Sequence, residues 1–207
     1  MVAGDMGWGQ LPITDQAFDA PHISRTLPAQ LRRCRRVVAV TVHLPEFLVA
    51  ASGLVQRLAA AGVRTDVLVA AEADEQADAA AELALGELGV PELARHRLAL
   101  PTPIGEDRGD DLLAGLSELV GFDPEPGVYC LAPAVEGLDA SQAVVAEVAQ
   151  RIAGVYRLKL VRFTAPPDAA SVRLELDGAE WARKGAALGA CATQVTPLTG
   201  PHEYFGL

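Results

Sequence analysis

Val37-Val38-Ala39-Val40-Thr41-Val42 runs without a charge straight into His43, and Glu46 follows three residues later. A near-continuous apolar run of this length reads as a strand covered on both faces, the situation in parallel sheets flanked by helices. The residues after it change period: Phe47, Ala50, Ala51, Leu54, Val55 and Leu58 fall at helical spacing, and Gly62 supplies a C-terminal stop. A second apolar run, Val67 to Ala71, then begins. Strand, helix and strand within about 35 residues form the crossover unit of parallel sheets. Such sheets hold ligands beyond the carboxyl ends of their strands. His43 and Glu46 are thereby delivered to a candidate site.

The rest of the chain repeats the alternation. Ala77 to Leu88 is an alanine-rich helix, Val128 to Leu131 a strand after the turn Asp123 to Gly127, and Val144, Val145, Val148 and Ile152 one face of a helix. Leu158, Leu160 and Val161 mark another strand, and Val172, Leu174 and Leu176 alternate with polar residues as a half-exposed one. Pro166-Pro167-Asp168 between these two predicts a hairpin at the sheet edge. Pro101 to Asp111 reads as an acidic loop at the carboxyl side of the sheet, and Trp181 to Cys191 as the last helix. The fold expected is a single α/β domain over residues 36–207, a Rossmann-like three-layer sandwich whose mostly parallel sheet carries helices on both faces. Residues 1–35 read as an N-terminal extension broken by Pro12, Pro21 and Pro28, with Trp8 and Phe18 as candidate surface anchors.

Composition narrows the function. With 207 residues, half of them hydrophobic, the chain can bury a large core without metal or disulfide support. A net charge of −10 argues against nucleic acid and against a membrane surface as partner, since both require cationic patches. Cys34, Cys130 and Cys191 are odd in number and far apart, which fits a reducing, cytoplasmic setting. The N-terminus shows no positively charged segment followed by an apolar core, and no uninterrupted apolar run reaches the ~18 residues of a membrane span. Neither a dinucleotide fingerprint nor a phosphate loop occurs. Arg32, Arg33, Arg35 and Arg36 form the one basic cluster, read either as solvated charges guarding an apolar strand or as a phosphate contact. Oligomeric state is not legible.

The order of several pieces resembles the PIG-L or LmbE-like family of zinc-dependent N-deacetylases. His43-Leu44-Pro45-Glu46-Phe47 stands where that family has His-Pro-Asp-Asp-Glu, and Ser52-Gly53 where it has a Gly-Gly pair. Leu85 to Val90 looks like its helix ending in Leu-Gly-Val, and Val128 to Pro133 like its strand ending in proline. Lys184 to Leu188 with Thr193-Gln194 is similar to its Lys-x-x-Ala-Leu helix, and His202 to Phe205 to its Glu-x-Phe ending. The resemblance covers residues 36–207 and implies an LmbE-like fold.

It implies less about the chemistry. Hydrolysis of an amide with zinc needs three protein ligands, a carboxylate to take the water's proton, and an oxyanion stabiliser. By resemblance His43 matches the first ligand and Glu46 the second, but Pro45 stands where the base should be. Gly137-Leu138-Asp139-Ala140 is the counterpart of the segment that supplies the third ligand, and only Asp139 in it has comparable chemistry. A rebuilt site would join His43 and Glu46 to Asp139, to His202, or to Glu106, Asp107 and Asp110. Each residue also has a structural reading: His43 as a strand-tip histidine bonded to backbone, Glu46 as a first-turn carboxylate, Asp139 as an N-cap. The cofactor expected is none, or weakly held zinc. Three readings follow: an inactive deacetylase-fold protein that binds a small sugar- or amide-bearing ligand or a partner through the former cleft, an active metal-dependent N-deacetylase with a rebuilt site, and a structural or assembly protein.

Overall fold

The computed structural model describes residues 22–134, 139–164, 171–191 and 200–206. Trp8 and Phe18 lie outside them. The elements in chain order are β1 (His22–Ser24), the short 3-10 turn η1 (Ala29–Leu31), β2 (Arg36–Thr41), α1 (Leu44–Ala60), β3 (Arg64–Ala71), α2 (Glu75–Leu88) and β4 (Leu93–Leu100). There follow η2 (Glu106–Arg108), α3 (Gly109–Val120), β5 (Val128–Pro133), α4 (Ala140–Tyr156), β6 (Lys159–Thr164), β7 (Val172–Glu175), α5 (Gly178–Ala190) and β8 (His202–Gly206).

The strands form one sheet in the order β1-β7-β8-β6-β5-β2-β3-β4. Only β8 runs against its neighbours; the others are parallel. Both faces are covered, which explains the uninterrupted apolar text of β2. Val37 and Ala39 point into a core shared with α1, α2 and α5, whereas Val38 and Val40 point into a second core shared with α3 and α4. The three-layer α/β sandwich expected from the sequence is therefore the observed fold.

The expected hairpin between β6 and β7 is not formed. β8 lies between them and pairs antiparallel with each, Phe163 opposite Phe205 and Leu174 opposite Glu203. The C-terminal strand thus saturates both ladders, and β6 and β7 end up parallel to one another. Two further elements depart from the expected text. β4 carries Arg95, His96 and Arg97 on an edge strand, where water accepts polar residues. The expected loop Pro101 to Asp111 ends early, because Asp110 and Asp111 already form the first turn of α3. Residues 22–24 pair with β7 as the sheet's other edge, and Leu31 is buried in the first core.

One polar cluster fastens the layers on the α1 side. Lys184 on α5 and Glu203 on β8 are buried, their side chains 1% and 0% exposed, with Nζ and Oε1 2.6 Å apart. Glu203 also accepts from the backbone N–H of Gly53 at 2.7 Å and of Leu54 at 2.9 Å, and Lys184 donates to the carbonyl of Val49. In an unbroken helix the Gly53 N–H and the Val49 carbonyl face each other; here the ion pair offers a partner to each. A Cβ built on Gly53 would lie 2.1 Å from Leu176 Cδ2 and 3.1 Å from Glu203 Oε2. The glycine lets β8 and the pair approach the helix. The motifs Ser52-Gly53, Lys184 and Glu203 that carried the family resemblance are thus joints of the fold.

Candidate functional site at the carboxyl edge of the sheet

The order of strands reverses between β2 and β5: the chain moves from β2 to β3 and β4 on one side, and from β5 to β6 on the other. Loops leaving the carboxyl ends of two such strands part to opposite faces and leave a crevice. β2 delivers His43 and β5 leads toward Asp139 at this point. α1, which His43 caps, covers one face, and α4, which Asp139 caps, covers the other.

His43 is exposed, in extended backbone, and its side chain makes no capping bond. Its carbonyl accepts from the Thr41 hydroxyl at 3.0 Å, which orders the turn into the helix. Pro45 sits in the first helical turn, where its missing N–H removes no helix bond. Glu46 follows in the same turn, half-buried. Its Oε2 is shielded from solvent without a hydrogen-bond partner among the described residues. Buried carboxylate oxygens are normally paired, so this one is a free acceptor.

Asp139 takes the structural role open to it: its Oδ1 accepts from the Gln142 N–H at 2.9 Å as the N-cap of α4. The Ser141 hydroxyl accepts from the Ile104 N–H at 3.0 Å, which ties the loop after β4 to the start of that helix. Glu106 and Asp107 are exposed on η2; Asp107 lies 3.5 Å from Arg108, and Asp110 lies 3.9 Å from Arg151. His202 begins β8, two strands beyond β5 in the sheet and so roughly 14 Å to the side of β2. Arg173 Nη2 approaches its Nε2 to 3.1 Å.

The fit to a metal ion can be tested on this donor set. Asp139 is engaged by its helix and His202 by Arg173, and His43 and Glu46 alone make two ligands where a zinc site takes three or four. Among the described residues no group of three or more His, Cys, Asp or Glu could hold a metal ion. The described residues do not fit a catalytic metal. The thiols offer no substitute nucleophile: all three are buried, and burial pushes Cys34 up to about 11 and Cys130 up to about 12. Sequence reasoning did not find the unpaired state of Glu46 Oε2, which depends on what surrounds the first turn in three dimensions. It also did not find the cationic cavity at the other edge of the sheet, for which the arginine cluster was the available signal.

No family model matches the chain, and no curated protein matches it. Solved structures do. A triple mutant of a deacetylase involved in teicoplanin biosynthesis superposes with a TM-score of 0.64 at 12% identity, covering 82% of this chain and 96% of that one. The N,N'-diacetylchitobiose deacetylase from Pyrococcus horikoshii gives 0.60 at 13%, covering 82% and 74%. The 4-carboxy-2-hydroxymuconate hydratase from Pseudomonas putida gives 0.55 at 17%, covering 77% and 80%. A hydratase beside two deacetylases illustrates that this scaffold carries more than one chemistry. At such identities likeness establishes architecture alone, and the architecture is that of the LmbE-like deacetylases.

Proposed function

We propose that this chain is a catalytically inactive deacetylase-fold protein that binds a small sugar- or amide-bearing ligand in the crevice between β2 and β5. Pro45 carries the reading. It occupies the position in the strand-to-helix turn where, by resemblance, a carboxylate would take a proton from water, and its ring can do no such work. The incomplete donor set around His43 and Glu46 supports the same conclusion. What is left suits recognition: an exposed imidazole, a carboxylate with one oxygen unpartnered among the described residues, and the N-terminus of α1 between them. The half-buried Glu46 carboxylate, turned toward the crevice, accepts a hydroxyl or amide N–H of the ligand, and His43 supplies a second polar contact.

The test is ligand-observed NMR with N-acetylglucosamine and the full chain, alongside an assay for released acetate. The ligand should bind, the Glu46→Ala variant should bind it more weakly, and acetate should not exceed the protein-free rate. Protein purified without a histidine tag and with zinc supplied should hold less than one zinc per chain. Acetate release abolished by Glu46→Gln would establish instead the active enzyme with a rebuilt site. Absence of any binding would leave the structural or assembly role.

A further inference from the structure

A cavity of about 940 Å³ opens at the opposite, amino-terminal edge of the sheet, beside the starts of β2, β5 and β6. Its walls are the segment before β2 (Arg32, Arg33, Arg35), the turn before β5 (Glu125 and Gly127), Arg157 at the end of α4 and Lys159 at the start of β6. The chain as a whole has net charge −10, yet here five cations surround one carboxylate.

The pairing of the arginines makes this concentration informative. Arg25, Arg36, Arg57, Arg64, Arg95, Arg97, Arg108 and Arg151 each meet a carboxylate. Arg162 meets Gln150, Arg173 meets His202, and Arg183 meets Gln56. Arg32, Arg33, Arg35 and Arg157 are the arginines with no polar side-chain partner among the described residues, and all four line this cavity. Lys159 lies 5.4 Å from the centre of the Tyr129 ring and forms no ion pair with a carboxylate among the described residues. All five cations are exposed, and three of them belong to the single run 32–35; it is Arg157 and Lys159, more than 120 residues away in sequence, that the fold adds to the same concavity.

The frame around them is ordered. The N–H groups of Arg35 and Arg36 donate to the Gly127 carbonyl at 2.9 and 3.3 Å, and the Tyr129 hydroxyl donates to the Gln30 carbonyl at 2.9 Å. Gly127 holds φ at +102°, and a Cβ there would sit 2.9 Å from the Arg33 carbonyl, so the turn and the arginine segment touch through their backbones. Arg157 adopts a left-handed conformation, φ 54°, at the end of α4, where glycine is the ordinary choice. A cation at a helix C-terminus accounts for Arg157 and a guard on the apolar strand for the run 32–35, but neither role requires the two groups to face one concavity.

We infer that this cavity binds a small oxyanion carrying three or more negative charges, the chemistry shared by pyrophosphoryl groups and tricarboxylates. Guanidinium forks grip such oxygens in pairs, and a monovalent anion would neutralise only one of five cations. A nucleic acid is disfavoured because its phosphate chain would leave the cavity and meet the acidic remainder of the surface. The site lies at the far end of the strands from His43 and Glu46, so its occupancy and the crevice's can be measured independently.

Calorimetric titration of the full chain with inorganic pyrophosphate, and separately with citrate, at low ionic strength tests the inference. At least one should bind, the tighter of the two identifying the class, and binding should weaken as salt rises. The double variant R33S/R35S should lose affinity by at least about tenfold, the scale of one charge-assisted hydrogen bond. Arg157→Gly should also bind more weakly while its melting temperature is unchanged or raised, since glycine relieves the left-handed backbone. That outcome separates lost binding from lost folding. No heat with either anion, or affinities unchanged in both variants, would overturn the inference.

Discussion

Removing Lys184 tests whether the pair it forms with Glu203 fastens the fold. Both side chains are sealed from water, so Lys184→Met leaves a carboxylate that can neither find an ammonium nor rehydrate without opening the α1–α5–β8 junction. Uncoupling a buried ion pair costs about 3–5 kcal/mol. Glu203 would keep its bonds from Gly53 and Leu54 and a contact with the Ser52 hydroxyl at 3.4 Å, which places this variant near the lower end. Glu203→Ala strands Lys184 with only the Val49 carbonyl and also deprives Gly53 and Leu54 of their acceptor, so it belongs near the upper end. For a chain of this size about 3 kcal/mol lowers the melting temperature by roughly 6–12 °C. Urea unfolding followed by circular dichroism reads both variants, and Glu203→Ala should be the less stable. A loss below about 1 kcal/mol for Lys184→Met, the range of an exposed pair, would refute the reasoning.

Two further outcomes follow from the same packing and from the amino-terminal end of the sheet. Gly53→Ala should destabilise by about 1–3 kcal/mol, as overpacking does, because the new methyl meets Leu176; urea midpoints of the variant and the parent check it, and equal midpoints would show that Leu176 moves away freely. Asp66 is buried, which opposes its charge, but hydrogen bonds from Arg36, His96 and Arg64 outweigh this and hold its carboxyl below the ordinary 3.8. A depressed carboxyl stabilises the fold above its unfolded value and loses that contribution as pH falls through its folded one. Stability measured from pH 6 downward should therefore fall more steeply below about pH 4 in the parent chain than in Asp66→Asn, and parallel curves would contradict the assignment.

Much of the fold was legible because it rests on local periodicity. The apolar text of β2 and β3, the helical spacing of α1 and α4 and the Asp139 cap express themselves within one or two turns of chain. The order of strands and the joints between layers do not. β8 was invisible as the partner of both β6 and β7, since strand pairing across the sheet leaves no mark in the five residues that make it. Ser52-Gly53, Lys184 and Glu203 stood in the sequence as scattered family signatures. Only their meeting, across 150 residues between Gly53 and Glu203, shows them to be one buried joint.

The candidate site divides in the same way. The sequence by itself determined that His43 and Glu46 leave a strand tip together and that Pro45 cannot serve as a base, because residue identity and a strand-to-helix turn suffice for both. Tertiary structure decided the rest. It set His202 aside on β8 with Arg173, engaged Asp139 at its helix, left one oxygen of Glu46 without a partner among the described residues, and gathered five cations at the opposite edge. Those outcomes depend on which distant groups reach each charge, and a charge takes its role from its neighbours in space rather than in sequence.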